Sequence, residues 1–302
     1  MRALFTGITG FIGRNLLPLV VRDCPGIEIM TLNRDPERAR ALFPYPQCQH
    51  VPSDDWDSVV AFNPEVVIHL ATVSTERNDT AVIAPMLSAN IGFGVLLLDA
   101  LRHCPALRLF VNTGSFAEYG SGPDHFDDAY LYAATKTAFR SFCDYYSRLC
   151  GYTFITAVPY TVYGGEPTVK RLMDYVLESM DSADPVDFTA GEQVLDFIHV
   201  RDVAGFYIYV LRHLDAFCEL DGAGEFHLGT GTGTSIKEMA GMAERVFGKK
   251  CNIRWGGRPY RDRDIMHAVA PVGRNAARCG WQAAIPLEEG LALMKGDITL
   301  GK

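Results

Sequence analysis

Short apolar runs alternate with longer stretches of helical periodicity through the first half of the chain. Residues 2–6 read as a strand, followed by a glycine turn and a helix over 12–21; residues 27–32 read as a second strand and 37–42 as a short helix. The run EVVIHLA, from Glu65 to Ala71, is almost continuously apolar, as expected of a strand buried on both faces. A helical stretch over 84–102, a strand over 107–112, a polar loop, a helix over 130–148 and a strand over 153–159 follow. Strands separated by helices imply right-handed crossovers, so the pattern predicts an α/β fold with a doubly wound, parallel sheet of the Rossmann type. After Gly164 glycine and proline punctuation increases, and helices over 169–180, 203–213 and 236–246 are set between irregular stretches. This predicts a dinucleotide-binding domain over 1–165 and a smaller, partly interleaved substrate lobe over 166–302, with about 190–215 returning to the first domain.

Composition narrows the partners. The chain has 302 residues, 48% of them hydrophobic, and a formal net charge of -8 without any lysine- or arginine-rich run, which disfavours nucleic acid and anionic membrane. Its eight cysteines form no C-x-x-C pair and no histidines accompany them at zinc-ligand spacing, so reduced, packed thiols and no metal are expected. The N-terminus reads as strand and turn rather than signal peptide, and no uncharged stretch reads as long enough to span a bilayer; a cytoplasmic protein with no membrane partner is expected.

The segment TGITGFIG at 6–13 places Gly7, Gly10 and Gly13 between the first strand and the first helix. Glycines there permit a tight turn and close backbone approach, while the helix N-terminus offers N–H groups to a pyrophosphate. The second strand ends in Asn33 and Arg34 rather than in an acid. An acid would accept from an NAD ribose; a neutral amide beside a guanidinium suits the 2′-phosphate of NADP(H), with NAD(H) still possible and a solvated Arg34 the plainer alternative. Asp54 or Asp55 could meet the adenine side or could be solvated loop acids.

Tyr132 and Lys136 (YAATK) lie one helical turn apart on one face. An ammonium and an oxidised nicotinamide near a phenol favour the phenolate, so this pair is expected to lower the tyrosine's pKa and let it exchange a proton with a carbonyl oxygen. Ser115 follows the 107–112 strand at the sheet edge where such folds carry their sites, and could orient that oxygen. Asn90 sits inside a helical stretch without a propensity reason; kinking the helix, holding a water and simple exposure all remain open.

These pieces together resemble an extended short-chain dehydrogenase/reductase of the epimerase/dehydratase group acting on nucleotide sugars. The similarity runs over nearly the whole chain, through TGITGFIG, VVIHLA at 66–71, NIGFGVLLLDAL at 90–101, NTGSFAEYG at 112–120, YAATK, VPYTVYGG at 158–165, DFIHVRDVA at 196–204, FHLGTGTGTSI at 226–236, and GW followed by LEEGL at 280–291. The resemblance implies Ser115, Tyr132 and Lys136 as catalysts, with Lys136 also on the nicotinamide ribose. It implies a cofactor site of Gly7, Gly10, Phe11, Ile12, Gly13, Asn33, Arg34, Asp54, Leu70, Ala71, Asn90 and Pro159. It also implies a homodimer joined through a four-helix bundle, which the helices over 84–102 and 130–148 would supply.

Departures from the group narrow the chemistry. Its sugar dehydratases carry an Asp-Glu pair after the catalytic Ser/Thr; Phe116 and Ala117 stand there, so elimination lacks its catalysts. Within the group the chain resembles the CDP-paratose/CDP-abequose synthase type, which implies NADPH-dependent reduction of a 4-keto-6-deoxy sugar nucleotide; a 4-epimerase is the alternative. Leu195 replaces an arginine common before Asp-Phe, and Thr161 an asparagine, which weakens the usual phosphate contacts and leaves a non-sugar ketone open. Arg261, or else Arg171 or Arg263, is the expected substitute, with Ser115 and Thr161 beside it on the substrate. Ser115 lacks a hydrolase elbow, His69 reads as a core residue, and His125 could touch substrate from its loop. A non-catalytic NAD(P)-binding redox sensor is the remaining reading, and it has no need of Tyr132.

Overall fold

The structure, a computed structural model, describes residues 1–166, 168–220 and 224–299. Six strands appear in turn: β1 (Arg2–Thr6), β2 (Glu28–Asn33), β3 (Cys48–Pro52), β4 (Val66–His69), β5 (Leu109–Thr113) and β6 (Thr153–Pro159). The chain then runs through β7 (Thr161–Tyr163), β8 (Val186–Phe188) and β9 (Val194–His199) before β10 (Gly224–Leu228), β11 (Gly233–Ser235), β12 (Ile253–Trp255) and β13 (His267–Ala268). The main sheet has the order β10-β6-β5-β4-β1-β2-β3, parallel throughout. Its order reverses between β1 and β4, and a crevice outside the strand C-termini at such a point is where doubly wound sheets bind ligands.

Central strands β4 and β5 are buried along their whole length, because helices cover both faces of the sheet. One apolar layer, with Leu16, Leu17, Phe206 and Phe217, packs helices Phe11–Asp23 and Val200–Arg212 on one face; another, with Leu97, Leu101, Phe110 and Phe139, fills the other. Gly94 allows the close fit on that second face: a Cβ there would lie 2.4 Å from Cε2 of Phe139. The chain returns to the first of these layers with helix Val200–Arg212 and with β10, past residue 215. A third apolar layer, including Tyr163, Met173, Leu195, Met239 and Leu291, lies under the small sheets in which β9 pairs with β7, β11 and β13, and β8 with β12.

Strand β3 and helix Trp56–Phe62 have no counterpart in the sequence pattern. β3 is the sheet edge, only its central His50 is buried, and so it carries no apolar run to read. The expectation that no stretch could span a bilayer needs correction: the continuous helical run Thr80–Leu101 has 22 residues and contains an 18-residue window with a mean hydropathy of 2.0, long and apolar enough to cross a membrane by length and composition. One side packs on the fold, with Met86, Leu97 and Leu98 buried, while Ile83, Leu87 and Leu96 stay exposed. Apolar residues on both sides of one helix produce that reading.

Candidate active site

The glycine turn is built for close approach. Gly7 has φ +71°, which L side chains avoid, and a Cβ there would lie 2.5 Å from the backbone nitrogen of Ala71. A Cβ on Gly13 would lie 2.4 Å from Cα of Ile8. Gly10 caps helix Phe11–Asp23, whose first backbone bond runs from Arg14 N to Gly10 O at 2.9 Å. The N–H groups of Phe11, Ile12 and Gly13 precede that bond and are free to receive a pyrophosphate, so these residues fit a dinucleotide. Across the crevice, Leu70 and Ala71 follow β4, tied to β1 through Leu70 N to Thr6 O and Ala71 N to Thr6 Oγ1 (3.1 Å). Pro159 ends β6 at the same edge of the sheet.

At the end of β2, Asn33 is buried and its amide nitrogen donates to Thr31 O and Oγ1. Arg34 is exposed, and Asp35 is occupied as the cap of helix Pro36–Leu42, accepting from Arg38 N. Asp55 likewise caps helix Trp56–Phe62, so of the two loop acids Asp54 is the one left exposed beside β3.

Tyr132, Ser115 and Lys136 come together. Ser115 caps a short turn over Phe116–Glu118; its Oγ accepts from Ala117 N at 3.2 Å, which leaves the hydroxyl hydrogen free to donate. The hydroxyls of Ser115 and Ser74 both face the Tyr132 phenol and favour its ionised form. Lys136 is buried, donates from Nζ to Thr113 O at 2.9 Å, and sits 5.9 Å from the Tyr132 ring centre. The expected lowering of the tyrosine's pKa is corrected here: burial, helped by the Glu118 charge, pushes Tyr132 up to about 12 against the pull of the two serines. Burial brings Lys136 down to about 8, with Glu118 opposing. The phenol therefore keeps its proton at neutral pH.

Two residues of this site were not visible in the sequence. Ser74 lies in the polar loop after β4, with no motif around it. Glu118 is fully buried and accepts from Ser115 N (2.6 Å), Arg140 Nε (2.7 Å) and Thr137 Oγ1 (3.3 Å). Its place three residues after a serine is the capping-box spacing, the one cue the sequence offered.

Asn90 is neither exposed nor available to a ligand. It lies in a π-helical turn, Ser88–Gly92, where its Oδ1 accepts from Val73 N and Thr72 Oγ1 and its Nδ2 donates to Val73 O and Thr135 Oγ1. Two acceptor and two donor positions are all an amide has, so Asn90 ties the Ser74 loop to helix Leu131–Cys150 rather than contacting cofactor or water. His69 is a core residue, bonded to Thr6 Oγ1 and held neutral by burial and Lys136, which bring it down to about 3.

The three arginines separate clearly. Arg261 is engaged by Glu76 and Arg263 by Asp127, both at the surface. Arg171 has no carboxylate partner among the described residues; its guanidinium lies 4.2 Å from the Phe11 ring centre and feels the Tyr132 phenol, between the glycine turn and Tyr132. Thr161 Oγ1 is buried and has no protein partner. Asp196, behind Leu195, is structural: it accepts from the backbone of Thr230, Gly231 and Ala270.

A glycine-lined dinucleotide crevice facing a Ser-Tyr-Lys set defines an NAD(P)-dependent enzyme of the Rossmann class. Residues 3–219 match the model of the NAD dependent epimerase/dehydratase family, and the chain belongs to it. It is 27% identical to CDP-abequose synthase of Salmonella muenchen, over 97% of this chain and 96% of that one. It is also 27% identical to UDP-glucose 4-epimerase of Mycolicibacterium smegmatis, over the same shares of the two chains. Its fold matches the UDP-glucuronic acid 4-epimerase of Bacillus cereus, solved with UDP-glucuronic acid and NAD, at a TM-score of 0.87 and 19% identity over all of both chains.

Proposed function

We propose that this enzyme reduces a ketone on a nucleotide-activated sugar, the 4-keto group of a 6-deoxy sugar, with NADP(H) preferred and NAD(H) usable. The observation that carries the reading is the Tyr132 phenol, set beside Ser115 with its ring centre 5.9 Å from Lys136 Nζ and keeping its proton at neutral pH: a reductase must begin with a proton to give. The full-length similarity to a CDP-abequose synthase supports the same reaction. Phe116 and Ala117 supply neither acid nor base for a dehydration.

A dinucleotide with its pyrophosphate on Gly7–Gly13 would supply hydride from its reduced nicotinamide to the carbonyl carbon. Ser115 orients the carbonyl oxygen, Tyr132 gives it a proton, and Lys136, as an ammonium, stabilises the phenolate that remains. Arg34 favours the 2′-phosphate, since the adjoining acid is occupied as a helix cap. On the substrate side Arg171 and Thr161 replace Arg261 as the groups free to meet the diphosphate. The exposed Ile83, Leu87, Leu96, Phe142, Tyr145 and Leu149 on helices Thr80–Leu87, Phe93–Leu101 and Leu131–Cys150 pair two chains into a homodimer.

A 4-epimerase is the second reading, favoured by the equal identity to the mycobacterial epimerase. Tyr132→Phe tests the shared chemistry. Turnover should fall about 10²–10⁴-fold with cofactor affinity retained; undiminished turnover contradicts the assignment of Tyr132 as proton donor.

A further inference from the structure

The end of β2 holds a second recognition element besides Arg34. Asn33 begins a chain of hydrogen bonds that runs away from the crevice through the sheet edge. Its Nδ2 donates to Thr31 O (2.9 Å) and to Thr31 Oγ1 (2.7 Å). Thr31 Oγ1 meets His50 Nδ1 at 2.7 Å, and His50 Nε2 meets Phe43 O at 3.0 Å. Thr31 is fully buried, and His50 and Asn33 nearly so.

Carbonyl groups at both ends give this relay one direction. Phe43 O can only accept, so His50 carries its hydrogen on Nε2 and presents a lone pair at Nδ1. The Thr31 hydroxyl must then donate to His50, which leaves Oγ1 to accept from Asn33. Thr31 O also only accepts, so a reversed amide would set two acceptors 2.9 Å apart. The amide nitrogen is therefore turned inward, and Oδ1 is the end with no protein partner among the described residues.

We propose that the Thr31–His50 relay holds Asn33 with its oxygen outward as the acceptor for an unphosphorylated adenosine ribose, so that NAD(H) and NADP(H) are each recognised by a different residue, Asn33 and Arg34. The inference rests on the dinucleotide reading of the crevice and not on the identity of the sugar substrate. A carboxylate at this place accepts from the ribose hydroxyl but repels a 2′-phosphate; an outward amide oxygen keeps the acceptor without the charge. Arg34 is then free to serve the phosphate, because Asp35 beside it is committed to Arg38 N.

The test is direct titration of NADH and NADPH, without sugar substrate, into the wild-type protein and into Asn33→Ala, Arg34→Ala, His50→Phe and Thr31→Val. Asn33→Ala should weaken NADH about tenfold and NADPH no more than about twofold, the loss of one hydrogen bond from one ligand. Arg34→Ala should do the reverse. His50→Phe should reproduce the Asn33→Ala pattern, and Thr31→Val does the same duty if His50→Phe fails to fold. The proposal is overturned if Asn33→Ala weakens both cofactors alike or NADPH more. It is equally overturned if Asn33→Ala is selective while the folded relay variants leave NADH unchanged. Because no sugar is present, failure of the ketoreductase reading would leave these titrations unaffected.

Discussion

Replacing Glu118 by glutamine removes the negative charge beside Tyr132 and Lys136 while nearly preserving shape. The carboxylate is completely buried, and the Arg140 guanidinium it pairs with has only 10% of its side chain exposed. Breaking a buried pair from one side costs about 3–5 kcal/mol, because the remaining charge stays buried. Arg140 keeps Glu225 and stacks 5.0 Å from the Phe126 ring centre, so the low end, about 3 kcal/mol, is expected. In a chain of this size that is a fall of roughly 5–10 °C in Tm. The same charge raises both Tyr132 and Lys136. Its removal takes away the larger of the charges that oppose burial at Lys136, moving the alkaline limb of the kcat profile below its starting position near pH 8. The assays are thermal unfolding and a pH series of kcat on the folded variant. A variant with unchanged Tm and an unshifted alkaline limb would refute the reasoning, since a capping residue without electrostatic influence could lose its charge silently.

Other outcomes follow from the same geometry. Gly13→Ala places a methyl group against Ile8 Cα and Gly7 O; dinucleotide affinity, read by fluorescence titration, should fall at least about tenfold, and unchanged affinity would remove the turn from the cofactor site. Glu225 is depressed to about 2 because His227, Arg140 and Tyr119 outweigh its burial. A depressed carboxylate stabilises the fold above its unfolded pKa near 4.5 and loses that contribution as pH falls toward 2, so Glu225→Gln should flatten the loss of Tm across that window. Leu96 is 57% exposed on the unpaired helical face; Leu96→Lys should shift sedimentation from dimer to monomer, whereas a wild-type monomer at micromolar concentration contradicts the homodimer.

The parallel core was legible in the sequence because strands buried on both faces are written as unbroken apolar runs, and VVIH at β4 is the clearest. Edge strand β3 was not, since burial falls on one residue of five and leaves no pattern. Tyr132, Lys136 and Ser115 were found through spacing and position on the sheet edge, both properties of the chain itself. Their protonation was not: the direction of the Tyr132 shift depends on burial and on Glu118, whose partner Arg140 lies 22 residues away. Asn90 was noticed as an oddity, but its four partners come from two separate segments, the loop at Thr72 and Val73 and the helix at Thr135, and only the fold brings them together. Arg261 illustrates the reverse case. Its position in the chain suggested an anion clamp, and an acid nearly two hundred residues earlier, Glu76, takes its charge.

The most direct test of the ketoreductase reading is the stoichiometry of cofactor oxidation. With NADPH and a 4-keto-6-deoxy sugar nucleotide, absorbance of the reduced nicotinamide should fall by one equivalent for each ketone converted to alcohol, and Tyr132→Phe should abolish the loss. Interconversion of two sugar nucleotides at C4 with no net change in that absorbance would contradict the account and identify an epimerase.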